Sequence, residues 1–185
     1  NGKLIRVVDG TTAFEWDVAN EEFLLAEYTV KLQLASGANL ILREDETGFY
    51  IDEKCITASS INLPTFDGHK YAEHLRILHQ EILFNIKDGK PLPNIFVYDK
   101  PWYRDGAMVG MVLNYTNNLH LIKDWILGIT DLYDRNNKGN CEPDNLGQLL
   151  YLVSLVADKS HPIVSKIIDE AKRITEGGLL RGITD

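Results

Sequence analysis

Cysteine is scarce in this 185-residue chain, with Cys55 and Cys141 the two instances. Two cannot staple a small disulfide scaffold, and neither stands at metal-ligand spacing from the other or from the five histidines. A disulfide framework and a zinc finger are therefore excluded. Basic residues are also short: 19 Lys and Arg face 27 Asp and Glu, a formal net charge of −8. A nucleic-acid binder neutralises phosphates with a basic surplus, and no basic stripe occurs here. Long apolar runs are missing as well. The most apolar stretch, Leu146 to Val156, is broken by Gly147, Gln148 and Ser154, and it is far shorter than the roughly 20 residues a bilayer span requires. No initiator methionine and no charged-then-apolar leader precede Asn1, which leaves open a missing native N-terminus and leaves the compartment open too. A fixed-period repeat, a low-complexity tract and a flexible linker are all absent, which disfavours a tetratricopeptide or ankyrin array.

What is present is the composition of a globular protein, 44% apolar and 25% charged, and its pattern changes near residue 63. From Lys3 to Ser60 the chain reads as extended. Val30, Leu32 and Leu34 alternate with Lys31 and Gln33, the period of a half-buried strand. Leu4 to Val8, Asn39 to Leu42 and Phe49 to Ile51 are shorter runs of the same kind, separated by turn residues at Asp9-Gly10, Ser36-Gly37 and Glu46-Thr47-Gly48. Residues 1–62 are thus expected to form a small antiparallel sheet, too slight to bury a core alone, packed on the rest of the chain or forming the tail of a larger β-sandwich.

Residues 63–185 read as helical hairpins. Tyr71, Leu75, Leu78, Ile82 and Ile86 define the buried face of a first helix, capped by Asp67 and stopped by Asp88-Gly89. After a Pro- and Gly-containing loop to Pro101, a second helix runs from about Arg104 to Tyr115 with Met108, Met111, Val112 and Tyr115 inside. Leu119 to Ile129 is a third helical segment. Pro143 suits the first turn of a fourth, whose apolar set Leu146, Leu149, Leu150, Val153 and Val156 makes it the most interior. Ser160 caps a fifth, opened by Pro162 and stopped by Gly177-Gly178. The two long loops, before the second helix and before the fourth, place function at one end of this array.

Candidate chemistry sits where those loops meet their helices. Trp102-Tyr103-Arg104-Asp105 joins flat aromatic faces to adjacent donors and acceptors, a combination suited to a sugar ring and its hydroxyls. The same run also reads as an ordinary aromatic helix start, with Asp105 at the positive helix end and Arg104 in a surface ion pair. The run from Asp134 to Gln148 carries Glu142 and Asp144 on either side of Pro143. One of the two caps the helix and the other is free to line a cavity, where partial desolvation would suit a general acid; capping plus a solvated turn remains the plain alternative. A calcium loop is excluded, since the glycine is misplaced at Gly139 and Asn145 stands where the closing Glu is required. The histidines have no nucleophile motif near them, Asn114 forms a glycosylation sequon inside a predicted helix, and Trp125 and Tyr133 suit core packing or sugar stacking.

The runs WYRDGAMVGMVL, LIKDWILGITDLYDRNN and EPDNLGQLLYLVSL resemble the N-terminal half of the (α/α)6 toroid of the six-hairpin glycosidase group, preceded by a β portion. The resemblance implies a mainly α fold, a partial toroid of helical hairpins with a small antiparallel β portion. It also implies an enzyme acting on an oligo- or polysaccharide. Trp102, Arg104 and Asp105 match a sugar-binding motif of the glucoamylase-like members. Asp144-Asn145 is similar to the catalytic pair of the unsaturated glucuronyl hydrolase branch, and Glu142 is the nearest acid for the glucoamylase-like arrangement. Asp144 and Glu142 are thus the expected catalytic carboxyls of glycosidic hydrolysis, with Trp102, Arg104, Asp105, Asn145 and Gln148 as substrate-binding residues and no metal or cofactor. A silent sugar-binding or scaffold protein, a polysaccharide lyase and a sugar epimerase remain alternatives. A full ring needs on the order of 200 residues after Leu63, more than the chain holds, so a fragment or a half-ring that associates with another copy or a missing C-terminal half is expected.

Overall fold

A computed structural model describes residues 2–5, 12–58, 61–135 and 138–181. The chain divides into two compact units, residues 1–83 and 84–185.

In the first unit, β1 (Gly2–Ile5) pairs antiparallel with β2 (Thr12–Trp16). The turn expected at Asp9-Gly10 lies outside the described residues, as do Arg6 to Val8. Five further strands, β3 (Val18–Leu24), β4 (Thr29–Leu34), β5 (Asn39–Asp45), β6 (Gly48–Ile51) and β7 (Lys54–Ala58), form one antiparallel sheet in sequence order. The alternation read in β4 is real: Leu32 is buried while Lys31 and Gln33 are exposed. Short turns keep neighbours adjacent. At the β5–β6 turn the Asp45 carboxylate accepts hydrogen bonds from Thr47 N (2.8 Å), Thr47 Oγ1 (2.6 Å) and Gly48 N (3.2 Å). The Thr47 bonds, with smaller help from Arg43, draw its pKa down to about 2. Helix α1 (Ala72–Phe84) follows, with Arg76 Nη1 donating to Thr65 O at 2.7 Å. Tyr71 and Leu78 are exposed and His79 is buried, so the buried face is rotated from the expected one.

In the second unit a two-residue hairpin, β8 (Ile86–Lys87) and β9 (Lys90–Pro91), leads through a loop to α2 (Tyr103–Tyr115). A 3-10 turn at Leu119–Leu121 and the short α3 (Lys123–Leu127) precede α4 (Asn145–Val156), α5 (Pro162–Arg173) and a second hairpin, β10 (Thr175–Glu176) and β11 (Leu179–Leu180). Leu113, Ile122, Ile126, Leu149 and Leu152 have no exposed surface and form the centre of a core that α5 closes with Ile163 and Ile167. Helix α2 meets it through small residues. A Cβ on Gly106 would fall 2.5 Å from Trp125 Cη2, and one on Gly110 would lie 3.2 Å from Leu155 Cδ1. Gly106 lets α2 approach Trp125 of α3 and Gly110 lets it approach α4 closely, and this turns the bulky set outward: Met108 is 67% and Tyr115 84% exposed, with Met111 also exposed. The expected buried face of α2 is thereby corrected.

The two hairpins repeat one device. Asp88-Gly89 has φ of 51° and 70°, and Gly177-Gly178 has 58° and 83°, the positive pair of a type I′ turn. Each hairpin begins two residues after its helix ends, and each closes with a matching bond, Leu92 N to Asn85 O (2.8 Å) and Arg181 N to Ile174 O (2.9 Å). Both glycine signals, read as helix stops, are hairpin turns.

The mainly α, toroidal fold is not what forms. The protein is α+β, with 36% helix and 27% strand. Five α-helices and a five-stranded antiparallel sheet make up the bulk of the described elements. The resemblance to six-hairpin glycosidases, with its partial (α/α)6 ring, fails on this architecture. The sheet was underestimated because β3 carries Asn20, Glu21 and Glu22 on an edge, where polar residues are suited and apolar alternation is lost. The helices were overestimated because Leu119 to Ile129 splits at Ile122 into a 3-10 turn and a five-residue helix.

Candidate functional site

Helix α2 begins without a cap of its own. Trp102, at the N-cap position, has no side chain able to accept from the first turn. Asp134 supplies that acceptor from the loop before α4: its Oδ2 takes the Tyr103 N–H at 2.5 Å. The same junction is fixed by Tyr103 Oη donating to Asp131 O at 2.8 Å and by Lys100 Nζ reaching the carbonyls of Asp134 and Arg135, both at 3.4 Å. Burial first, then the Asp131 and Asp134 charges, push the Tyr103 hydroxyl well above its ordinary pKa, so it remains a donor.

From Asp134 a chain of hydrogen bonds runs to the candidate site. Asp134 N donates to Asn145 Oδ1 (3.3 Å), Asn145 Nδ2 to Gln148 Oε1 (3.1 Å), and Gln148 Nε2 to Asp144 Oδ2 (2.7 Å). The same Asp144 oxygen accepts from Arg104 Nη2 at 3.0 Å, and that nitrogen also reaches Glu142 Oε2 at 2.6 Å. One guanidinium, in the first turn of α2, therefore holds both carboxylates at the threshold of α4. The Asp144 hydrogen bond and charge, followed by the Glu142 charge, raise the Arg104 pKa further above its already high value. Arg104 stays 54% exposed at its side chain, so its remaining donors face solvent.

The structure brings together Arg104, Glu142, Asp144 and Gln148. Asn145 lies beneath them, 1% exposed, with both ends of its amide occupied. Trp102 is half-buried, its ring tilted against Tyr98 at a centroid distance of 5.0 Å, and its Nε1 is buried without a hydrogen-bond partner. Tyr98 also borders a recess of about 320 Å³, with Phe96, Lys87, Lys90 and Asp99 among its walls. Asp105 is half-buried in the first turn of α2, where its charge favours the helix N-terminus. Trp125 packs on Gly106, and the Tyr133 hydroxyl bonds Glu170 Oε1 at 2.8 Å. Among the described residues no group of three His, Cys, Asp or Glu is placed to hold a metal ion, and no helix is long and apolar enough to cross a membrane.

The chain matches no protein-family model, no curated protein and no solved structure. The glycosidase and hydrolase labels that came with the resemblance therefore have neither the fold nor a relative behind them. What remains is the geometry of the site itself.

Two residues outside the sequence reading matter most. Asp134 was weighed there only as a calcium-loop position, and its sign in the sequence is the missing cap at Trp102: a buried helix start with no acceptor of its own requires one from elsewhere. Tyr98 carries no local signal, since its role comes from a ring contact across a loop.

Proposed function

We propose that the second unit is a saccharide-recognition module, with Arg104, Glu142 and Asp144 as its polar centre. The observation that carries this reading is the shared Arg104 Nη2, 2.6 Å from Glu142 and 3.0 Å from Asp144. It fixes two acceptor groups and one multivalent donor side by side, at an exposed surface, in a geometry that Gln148 and Asn145 brace from below. Sugar hydroxyls both donate and accept, and such a cluster meets both needs. The Tyr98–Trp102 pair adds an aromatic face close in sequence.

Recognition without turnover is favoured over hydrolysis. Glycosidic cleavage needs one carboxyl to deliver a proton and a second to activate water or attack. Here both carboxylates already accept from the same guanidinium, an arrangement for holding hydroxyls rather than for delivering a proton.

The test combines calorimetric binding to a panel of neutral and acidic oligosaccharides with mass spectrometry of products formed in oxygen-18 water. We expect saturable binding without labelled product, weakened about ten- to a hundredfold in Arg104→Ala. Labelled product that disappears in Glu142→Gln or Asp144→Asn would replace this reading with hydrolysis. Absence of binding across the panel, with the fold intact, would remove both.

A further inference from the structure

The sheet of the first unit carries a second polar surface, built by register alone. Asn20 of β3 stands opposite Gln33 of β4, and Gln33 opposite Asn39 of β5. Three side-chain amides thus form one row across three strands, spanning two strand spacings, or about 10 Å. One step along the sheet, Glu22, Lys31 and Ile41 form the next row. Because side chains alternate with period two, both rows stand on the same face, and together they border a recess of about 430 Å³.

The chemistry of this recess is specific. Each amide offers one acceptor oxygen and two N–H donors, and none of the three uses its side chain in a hydrogen bond to another described residue. The recess's two charges cancel, with Lys31 Nζ 3.4 Å from Glu22 Oε2. Ile41, 44% exposed and opposite Lys31, supplies an apolar spot beside them, and Leu32 and Leu40 also border the recess. Around it the first 83 residues hold seven Lys and Arg against fourteen Asp and Glu, a surplus that repels anions. The acidic surplus disfavours an anion and the Lys31–Glu22 pair leaves no bare carboxylate in the recess for a cation, so the ligand that fits this face is neutral, both donates and accepts, and offers a small apolar side.

We infer that the β3–β4–β5 face binds a neutral oligosaccharide, with Asn20, Gln33 and Asn39 bonding successive hydroxyls and Ile41 under the C–H face of one ring. Water competes for every one of these bonds, so the affinity is weak, with Kd on the order of 1 mM. The inference shares no residue with the Arg104 centre and does not depend on it.

The experiment is a titration of the full chain, followed by the side-chain amide signals of a nitrogen-15 correlation spectrum, with linear neutral pentasaccharides of glucose, xylose and mannose. A fully sulfated pentasaccharide is the charge control. We expect saturable shifts of the Asn20, Gln33 and Asn39 side-chain amides with at least one neutral sugar. The affinity should fall at least tenfold in Gln33→Ala and in Asn39→Asp, and should be unchanged in Arg104→Ala. Amide signals that stay still with all three neutral sugars overturn the inference, as do equal shifts with the sulfated sugar or unaltered binding in Gln33→Ala and Asn39→Asp. Two variants are used because the dispersion of the same spectrum reports folding, and Asn39→Asp keeps the side-chain shape if Gln33→Ala does not fold.

Discussion

Gly106 occupies a position where the indole of Trp125 leaves no room for a methyl group, the would-be Cβ lying 2.5 Å from Cη2. Trp125 is half-buried and its rigid indole must shift as a whole to admit a methyl group, so Gly106→Ala is expected to destabilise the second unit by about 1 to 3 kcal/mol, measured by urea denaturation. Tyr28 makes the opposite case. Its hydroxyl and the Nε of Arg76 are buried without hydrogen-bond partners. Burial raises the Tyr28 pKa despite the nearby Arg76 charge. Removing an unsatisfied hydroxyl relieves a desolvation penalty, so Tyr28→Phe should stabilise the first unit by up to about 1 kcal/mol; a loss of stability would show that the hydroxyl is bonded in solution. Glu170 gives a pH dependence. Bidentate bonding from Arg173, together with the Tyr133 hydroxyl, holds its pKa at about 2 instead of 4.5. A depressed carboxyl contributes stability that is fully present above its unfolded pKa and is lost as the pH falls through the folded one. Wild type should therefore lose stability between about pH 4.5 and 2. Glu170→Gln should lose about 1 kcal/mol at neutral pH and show a flatter profile in that window by chemical denaturation.

At the scale of elements, α2 and α4 start within one hydrogen-bonded network, and Asp134 is its hinge. Asp134→Ala uncaps α2 and frees the loop carrying Glu142, so it should cost about 1 kcal/mol and also weaken any ligand held by Arg104; Asp134→Asn should restore part of both. Equal binding by the alanine variant would separate the cap from the site. The network also shows what the sequence displayed and what it concealed. The presence of α4 and α5 and the place where each begins were legible from Pro143, Pro162 and the apolar positions that follow them, because apolar periodicity is local, whereas the end of α5 at Arg173 was not. The burial of α2 was not, since Gly106 and Gly110 are informative only once Trp125 and Leu152 are known to lie opposite them. The pairing of Arg104 with Glu142 and Asp144 spans about 40 positions. Each residue was visible as a candidate on its own, but their meeting depends on how α2 packs on α4. The charged edge strand β3 and the hairpins at Asp88-Gly89 and Gly177-Gly178 were missed for a related reason: edge positions and turns are defined by a partner strand.

For the whole molecule the main asymmetry is electrostatic and hydrophobic at once. The first 83 residues hold fourteen acidic side chains against seven basic ones, and residues 84–185 thirteen against twelve. Of the buried apolar core residues among the described residues, Leu32 alone belongs to the first unit. A thin core under strong self-repulsion should be sensitive to salt, because screening shortens from about 30 Å at 0.01 M to about 3 Å at 1 M. Hydrogen exchange of the intact chain is expected to show rising protection in residues 12–58 as salt increases, with little change in 103–173; uniform protection across both would refute this division. The two matching hairpins carry a different consequence. Each returns the chain after a fixed seven-residue step from the first residue beyond the helix to the N–H that closes the loop. An insertion inside that step slips the closing bond and the direction in which the chain leaves. The same insertion placed after Leu92 only lengthens the loop that leads to Trp102. Divergence in this protein is therefore expected to accumulate as length variation downstream of the reversal and never within it, and either eight-residue block should be exchangeable for the other.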